Sequence, residues 1–232
     1  DPIARNITPK IFTDYRAARI EKGIRPKTCN NEHGYINAVY NELERSGSIG
    51  YPNPLKPIRP IKLDEFELSY LTSEQITELL TKIENFSQSR SVLIVSKISL
   101  ATGARWSEAE NITLQQLKRH NVSFTDTKSK KNRTVPITKE FYTELKAHFD
   151  EHGEFTKNTL SSFRRALERT NIVLQKGQAS HVLRHTFASH FMMNGGNILT
   201  LQKILGHSSI VMTMRYAHLA PEHLEAAAKL NP

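Results

Sequence analysis

The amino-acid sequence predicts a mostly α-helical protein with one small antiparallel β-sheet, divided into a thin helical domain and a larger mixed α+β domain. Three observations predict it. Apolar residues recur at helical spacing in most segments, the period switches to alternation only between Asn121 and Thr138, and four of the ten prolines crowd between Pro52 and Pro60. With 232 residues, 38% of them hydrophobic, the chain has enough apolar surface for folded cores.

Each element has its own signal. Thr8-Pro9 joins a cap to a first-turn residue and opens a helix whose Ile11, Phe12, Tyr15 and Ala18 form an apolar stripe, with Arg16, Arg19 and Lys22 opposite and Gly23 as the stop. A second helix starts between Pro26 and Thr28 and runs to Arg45; Tyr35, Ile36, Val39, Tyr40 and Leu43 face inward, and Gly47 ends it. These helices make a first domain over residues 1–50. Residues 51–69, with Pro52, Pro54, Pro57 and Pro60, read as a linker. The second domain, residues 70–220, opens on Thr72-Ser73-Glu74-Gln75, a capping-box pattern followed by Ile76, Leu79, Leu80 and Ile83. Ser91 to Ala101 is apolar nearly all round, which predicts a buried helix, and Gly103 ends it, leaving Arg105 at a junction beside the core. Val122, Phe124 and Thr127, a Lys-Ser-Lys-Lys-Asn loop, then Thr134, Val135 and Ile137 predict a hairpin with lysines at its tip. Pro136 confines the second strand to an edge or ends it. Lys139 to Phe149 and Asn158 to Thr170 read as helices, the latter with Leu160, Phe163 and Leu167 inward and Arg164, Arg165 and Arg169 outward. In residues 221–232 a short helix from Pro221 to Leu230 carries Leu224, Ala226, Ala227 and Leu230, a face that packs on a neighbouring subunit or within its own chain.

Charge narrows the partner. Lysine and arginine number 32 against 23 acidic residues, a formal net charge of +9, which favours a polyanion: nucleic acid first, an anionic membrane surface second. No apolar run approaches the roughly 18 residues of a spanning helix, and no charged-then-apolar leader opens the chain, so a soluble, unsecreted protein is expected. Cys29 stands alone, which excludes a disulfide within the chain and agrees with a reducing compartment. The chain begins at Asp1 without methionine, so processing or truncation ahead of it is expected.

Chemistry concentrates between Ser180 and Leu219. Ser180 can cap a helix on which Leu183, Phe187 and Phe191 stack and His181, Arg184 and His185 crowd the N-terminal turn, where the free amides and the dipole already favour an anion. Gly195-Gly196 stops that helix, Ile198 to Leu205 forms the next, and Gly206 closes it. His207 follows, and Ser208 or Ser209 can cap the helix that carries Tyr216. Four readings compete. A metal site is suggested by the four-residue spacing of His181 and His185, but Val182 stands where a zinc-hydrolase motif needs glutamate and Arg184 puts a fixed charge between the ligands, so no metal and no cofactor are expected. A non-catalytic basic DNA-binding module with Tyr216 in its core is a second reading. A type IB-like DNA-relaxing enzyme is a third.

The fourth comes from the joint pattern. His181-Val-Leu-Arg184-His185-Thr-Phe-Ala, Leu205-Gly-His207-Ser-Ser and Thr213-Met-Arg-Tyr216-Ala-His218 resemble the C-terminal boxes of the tyrosine recombinases, with temperate phage integrases the nearest likeness. Upstream, Thr102-Gly-Ala-Arg105-Trp-Ser-Glu108 resembles the family's first arginine box, and Lys128 before Asn132-Arg133-Thr-Val-Pro-Ile137 matches its lysine position. Five boxes agree in order over most of residues 70–220. The two leading helices are similar to part of the family's core-binding domain. Ser129 replaces the glycine often found after the lysine, which bears on the loop's shape and not on its charge.

The resemblance implies a catalytic set of Arg105, Lys128, His181, Arg184, His207 and Tyr216. Tyr216 is implied as nucleophile, Arg105 and Arg184 as holders of the non-bridging oxygens, His181 and His207 as completing that cage, and Lys128 as the acid for the leaving 5' oxygen. Glu108 and His185 are implied to back the site without touching the phosphate; His218 is a further motif residue. A clamp on double-stranded DNA, a 3'-phosphotyrosyl intermediate, Holliday-junction exchange within a homotetramer, accessory DNA-bending proteins, action at the nucleoid in the cytoplasm of a bacterial host, and an arm-binding domain ahead of the chain are implied in the same way. Elementary chemistry agrees. A phenol titrates near pH ~10, so it needs a base or stabilising cations. Planar guanidinium groups can hold two phosphate oxygens without a metal, and a lysine can protonate the leaving alkoxide.

Overall fold

Helix ends fall where capping residues put them. The computed structural model describes residues 4–63, 69–87, 89–125, 132–174, 177–179 and 181–221, and divides into two compact units, Asp1–Glu67 and Leu68–Pro232. Lys128 and the rest of the hairpin tip, Ser180, and the helix expected after Pro221 lie outside the described residues.

In the first unit Thr8 Oγ1 accepts from the Ile11 N–H and starts α1 (Pro9–Glu21), while Pro26 occupies the first turn of α2 (Pro26–Arg45). Their inward faces are narrower than the periodicity predicts. Phe12, Cys29, His33 and Tyr40 are buried, but Ile11, Tyr15, Tyr35 and Val39 are exposed, Tyr35 to 73%. A two-helix layer covers one stripe of each helix and leaves flanking apolar positions outside it. The proline-rich stretch assigned to a linker belongs in part to this unit. Leu55 is buried beside Phe12 and Tyr40, and Asn53 Nδ2 donates to Asn37 Oδ1 and Asn41 Oδ1, both at 2.7 Å, while its N–H donates to Glu44. Asn30 brackets the Ile61 backbone, accepting from its N–H and donating to its carbonyl at 2.8 Å each. Prolines remove backbone donors, and asparagine side chains supply the attachment that a ladder cannot.

The second unit starts with α3 (Ser73–Phe86), where both halves of the Thr72/Gln75 capping box form. Next, α4 (Arg90–Thr102) is buried almost all round; its Ser96 and Thr102 hydroxyls donate to carbonyls four residues back, so those two side chains cost little there. Gly103 caps it in the left-handed region and α5 (Trp106–Glu110) follows. The sheet runs β1 (Leu117–Lys118), β2 (Asn121–Phe124) and β3 (Arg133–Pro136) in that order, antiparallel, with Val122 opposite Val135 and Phe124 opposite Arg133. Among the described residues β3 is an edge and ends at Pro136, as that residue requires. The two-residue β1 is too short to carry a periodic signal. Then come α6 (Lys139–His152), α7 (Leu160–Leu167), α8 (Val182–Met193), α9 (Ile198–Leu205) and α10 (Val211–Met214). The α7 helix starts after the predicted Asn158, because that residue sits at φ 59° and cannot be part of a right-handed turn, and it ends at Leu167, short of the predicted Thr170.

The core of this unit spans α3 to α8, and α8 lies against α4. A smaller apolar cluster of Ala188, Met192, Leu201, Leu205 and Tyr216 joins α8, α9 and the segment after α10. Gly103 sits where these elements meet. Its φ is +65°, and a Cβ there would stand 2.6 Å from Phe187 Cδ1 and 2.7 Å from Leu205 Cδ2. Left-handed strain and overpacking then act together, so Gly103→Ala is expected to lower unfolding free energy in urea titrations by about 2–4 kcal/mol.

Candidate active site

Arg184 is the buried centre of the site. It projects from the first turn of α8, and the helix it crosses, α4, ends beneath it at Gly103. Its Nη1 donates to the Gly103 carbonyl at 2.7 Å, and its Nη2 donates to the Leu205 carbonyl at 2.8 Å and to His207 Nε2 at 2.9 Å. Both carbonyls lie at helix C-termini, where acceptors lack partners within the helix and the dipole is negative. One guanidinium thus caps α4 and α9 together. These bonds occupy three of its five N–H groups; among the described residues the Nε–H and one Nη1–H have no partner and can meet an anion. Burial, followed by the nearby charge of Arg105, brings Arg184 down to about 10, and it remains a cation at neutral pH.

The same bonds assign the histidine next to it. A guanidinium cannot accept, so His207 Nε2 carries the lone pair and Nδ1–H donates to Thr213 Oγ1 at 2.8 Å. Burial and the charges of Arg184 and Arg105 push His207 down to about 4. The His207 ring is therefore neutral and fully engaged in this arrangement, as a support for Arg184. His181 precedes α8, exposed as a residue, and its pKa is lowered by burial of the ring and by the charges of Arg184 and Arg105.

Arg105 is held from below by Glu108. Its backbone N–H donates to Glu108 Oε2 at 2.9 Å and its Nη1 to Oε1 at 2.8 Å, while Arg133 Nη2 donates to Oε2 at 2.6 Å. Burial alone would raise the Glu108 pKa, yet the two arginines and the backbone donor hold it below the usual carboxylate range. Arg133 is a residue that sequence reasoning passed over. It lies on β3 two residues before the buried Val135, so alternation turns it inward, and its guanidinium sits 4.4 Å from the Phe124 ring centroid. An arginine on the inward phase of a strand was the available signal. Thr213, which fixes the His207 tautomer, was also passed over, and an isolated threonine gives no such signal.

Tyr216 is 2% exposed, with its ring inside the small apolar cluster. It follows α10 in a turn, its N–H on the Thr213 carbonyl, and does not lie on the helix itself as its spacing from Ser208 predicts; α10 is only four residues long, with the Val211 N–H on Ser209 Oγ. Its hydroxyl meets His185 Nδ1 at 2.6 Å. The phenol donates to this nitrogen when the His185 proton sits on Nε2, and accepts from it when the proton sits on Nδ1. Burial raises the Tyr216 pKa above 10, and burial with the charges of His181 and Arg215 pushes His185 down to about 4. The structure thus brings together Arg105, Glu108, His181, Arg184, His185, His207 and Tyr216, while Lys128 lies outside the described residues. Among the described residues no group of three His, Cys, Asp or Glu side chains could hold a metal ion.

The profile of the phage integrase family matches residues 69–223, and that of the phage integrase N-terminal domain matches residues 1–62. The chain belongs to the phage integrase family. It is 49% identical over 241 residues to the integrase of Escherichia phage 186, covering all of this chain and 71% of that protein. It is 50% identical over 240 residues to the integrase of Haemophilus phage HP1 (strain HP1c1), covering all of this chain and 70% of that one. The solved catalytic domain of bacteriophage HP1 integrase superposes with a TM-score of 0.64 at 52% identity, over 72% of this chain and 96% of that chain. The Tn1549 transposon integrase in complex with a circular intermediate DNA shares the fold, with a TM-score of 0.78 at 20% identity over 98% of this chain and 85% of that one. The integrase family fold is therefore mostly helical here, with the three-stranded sheet as its β component.

The neutral histidines make this integrase site acid-labile. For His185 and His207 the unfolded chain takes up protons near 6.5 and the folded chain near 4, so the unfolded state binds more protons between those values. Stability is full above that window and falls as pH drops through it. Urea unfolding from pH 7 to 4.5 is expected to show this decline, and His207→Asn to flatten it.

Proposed function

We propose that this phage integrase is a site-specific DNA recombinase in which Tyr216 attacks the scissile phosphate and becomes joined to the 3' end. The observation that carries the reading is the pairing of a buried phenol, hydrogen bonded to His185, with Arg184, one residue before His185 on α8, whose guanidinium keeps two N–H groups without a partner among the described residues. Attack builds negative charge on the equatorial oxygens, and Arg184 with Arg105 meets that charge from rigid positions. His181 borders the same cage. His207 acts on Arg184, and Glu108 on Arg105. Lys128 serves as the acid that protonates the leaving 5' oxygen.

Two arginines replace the charge a metal would bring, so the reaction is metal-independent. The phosphotyrosyl bond keeps the energy of the phosphodiester it replaces, so religation needs no ATP. Exchange follows when a 5' hydroxyl from a second duplex attacks, through a Holliday junction in a homotetramer, with accessory DNA-bending proteins and in the cytoplasm of a bacterial host. No helix among the described residues is long and apolar enough to cross a membrane.

Nicked duplex DNA in EDTA is expected to give a covalent protein–DNA adduct on denaturing gels with the native chain and none with Tyr216→Phe. An adduct that needs divalent metal would point to other chemistry, and relaxation without strand transfer between duplexes would point to a relaxing enzyme. Arg184→Lys keeps the charge but loses the fork that spans two carbonyls, and is expected to slow adduct formation about 100-fold or more. Affinity for duplex DNA should fall with salt at a log–log slope of about 0.9 per phosphate neutralised, measured by fluorescence anisotropy; a flat response would count against phosphate contacts.

A further inference from the structure

Glu108 sets a problem that Arg133 resolves. A carboxylate beside Arg105 steadies that arginine but also cancels its charge, and a neutralised arginine attracts a phosphate weakly. The fold gives Glu108 a second arginine. Its Oε1 accepts from Arg105 Nη1 at 2.8 Å, and its Oε2 accepts from the Arg105 backbone N–H at 2.9 Å and from Arg133 Nη2 at 2.6 Å. Two guanidinium groups share one carboxylate, so the three side chains together keep a net positive charge.

We propose that Arg133 is a positioning residue of the cleavage step: it takes up the negative charge of Glu108, so that Arg105 is steadied by the carboxylate and still meets the scissile phosphate as a full cation. This rests on the reading of Tyr216 as nucleophile and Arg105 as a phosphate ligand. Arg133 acts through Glu108 and does not touch DNA. Its side chain is 5% exposed, its guanidinium lies 4.4 Å from the Phe124 ring centroid, and its Nε and Nη1 are buried without a partner among the described residues. Arginine suits this place because it stays charged when buried and packs on an aromatic face, whereas a buried lysine loses its proton more readily.

The charge of Glu108 reaches the phosphate cage, and Arg133 opposes it there. At Arg184, burial and then Arg105 lower the pKa, Glu108 raises it, and Arg133 lowers it again. At Glu108 itself burial favours the neutral acid, and the bond to Arg133 is foremost among those that keep it ionised, ahead of both Arg105 bonds. Without Arg133, Glu108 and Arg105 would stand as a neutral pair, and the negative charge that builds on the equatorial oxygens would lose one of its two cations. In a partly buried site, a unit charge at this range is enough for a rate effect of about 10- to 100-fold.

The test is single-turnover adduct formation by the full chain, at saturating protein, on the nicked duplex that gives the wild-type adduct. Arg133→Met keeps an unbranched side chain against Phe124 and removes the charge. It is expected to react about 10- to 100-fold more slowly and to bind the duplex as tightly as wild type in gel shifts. Adding Glu108→Gln to Arg133→Met removes the carboxylate as well and is expected to recover most of that loss, because Arg105 is again a cation without a counter-charge. A mere brace behaves in the opposite way, since a second lost partner slows the reaction further. A wild-type rate for Arg133→Met, a loss that lies wholly in duplex affinity, or a double variant no faster than Arg133→Met would overturn the proposal. If urea titrations show that Arg133→Met does not fold, the double variant, which leaves no carboxylate to balance, decides alone: a rate within about 10-fold of wild type supports the proposal and a slower one overturns it. Arg105→Ala and Tyr216→Phe run alongside. A wild-type rate from the first or an adduct from the second overturns the reading beneath, whereas a slow Arg105→Ala and a silent Tyr216→Phe beside a wild-type-like Arg133→Met overturn only the role of Arg133.

Discussion

A cation buried without a direct carboxylate bond is the constraint on which the catalytic unit depends. Arg184 meets the carbonyls that end α4 and α9 and the lone pair of His207, and these neutral dipoles are its only hydrogen-bond partners among the described residues. Helix C-termini carry partial negative charge and unpaired acceptors, so a guanidinium stabilises both ends while they hold its charge in a low dielectric. Had a carboxylate paired with Arg184 directly, its forks would be neutralised. Held by carbonyls, it keeps its charge and two free donors for an anion. Gly103 follows from the same constraint, because only a residue without a side chain lets α4 end so close to Phe187 and Leu205.

Carboxylate chemistry is displaced one layer outward. Glu108 binds Arg105 and Arg133 together, so the ion pairing that fixes the arginine at the α4–α5 junction also ties it to the base of the hairpin. Arg133 is itself covered by Phe124 and keeps two buried donors unpaired among the described residues. A buried charge in that state is costly unless its neighbours hold it firmly, which agrees with a short, edge-ended sheet whose purpose is placement more than bulk.

Tyr216 satisfies two descriptions that sequence reasoning set against each other. Its ring is a core side chain packed with Ala188, Met192, Leu201 and Leu205, and its hydroxyl is a polar handle turned toward His185. Core packing and a polar contact are therefore compatible: the apolar wall holds the ring, and burial favours the protonated phenol. The same burial lowers His185 and His207, so three titratable groups are kept neutral beside two arginines.

Local signals in the chain determined the helix ends at Thr8, Thr72, Gly103 and Gly206, the hairpin and its Pro136 limit, and the residue types of the site, because caps, periodicity and motif spacing are properties of neighbours in sequence. The same signals misjudged Tyr35 and Val39, since periodicity defines an apolar face but not whether anything covers it, and they missed the packing of Leu55 and Asn53 onto α2, since attachment through side chains leaves no periodic mark. Only the tertiary structure decided which partner each site residue holds. The Gly103–Arg184 bond spans 81 residues and the His185–Tyr216 bond 31, and no local pattern encodes a hydrogen bond between atoms brought together by packing. For that reason only the folded chain shows His185 bonded to the Tyr216 hydroxyl and His207 bonded to Arg184 and Thr213.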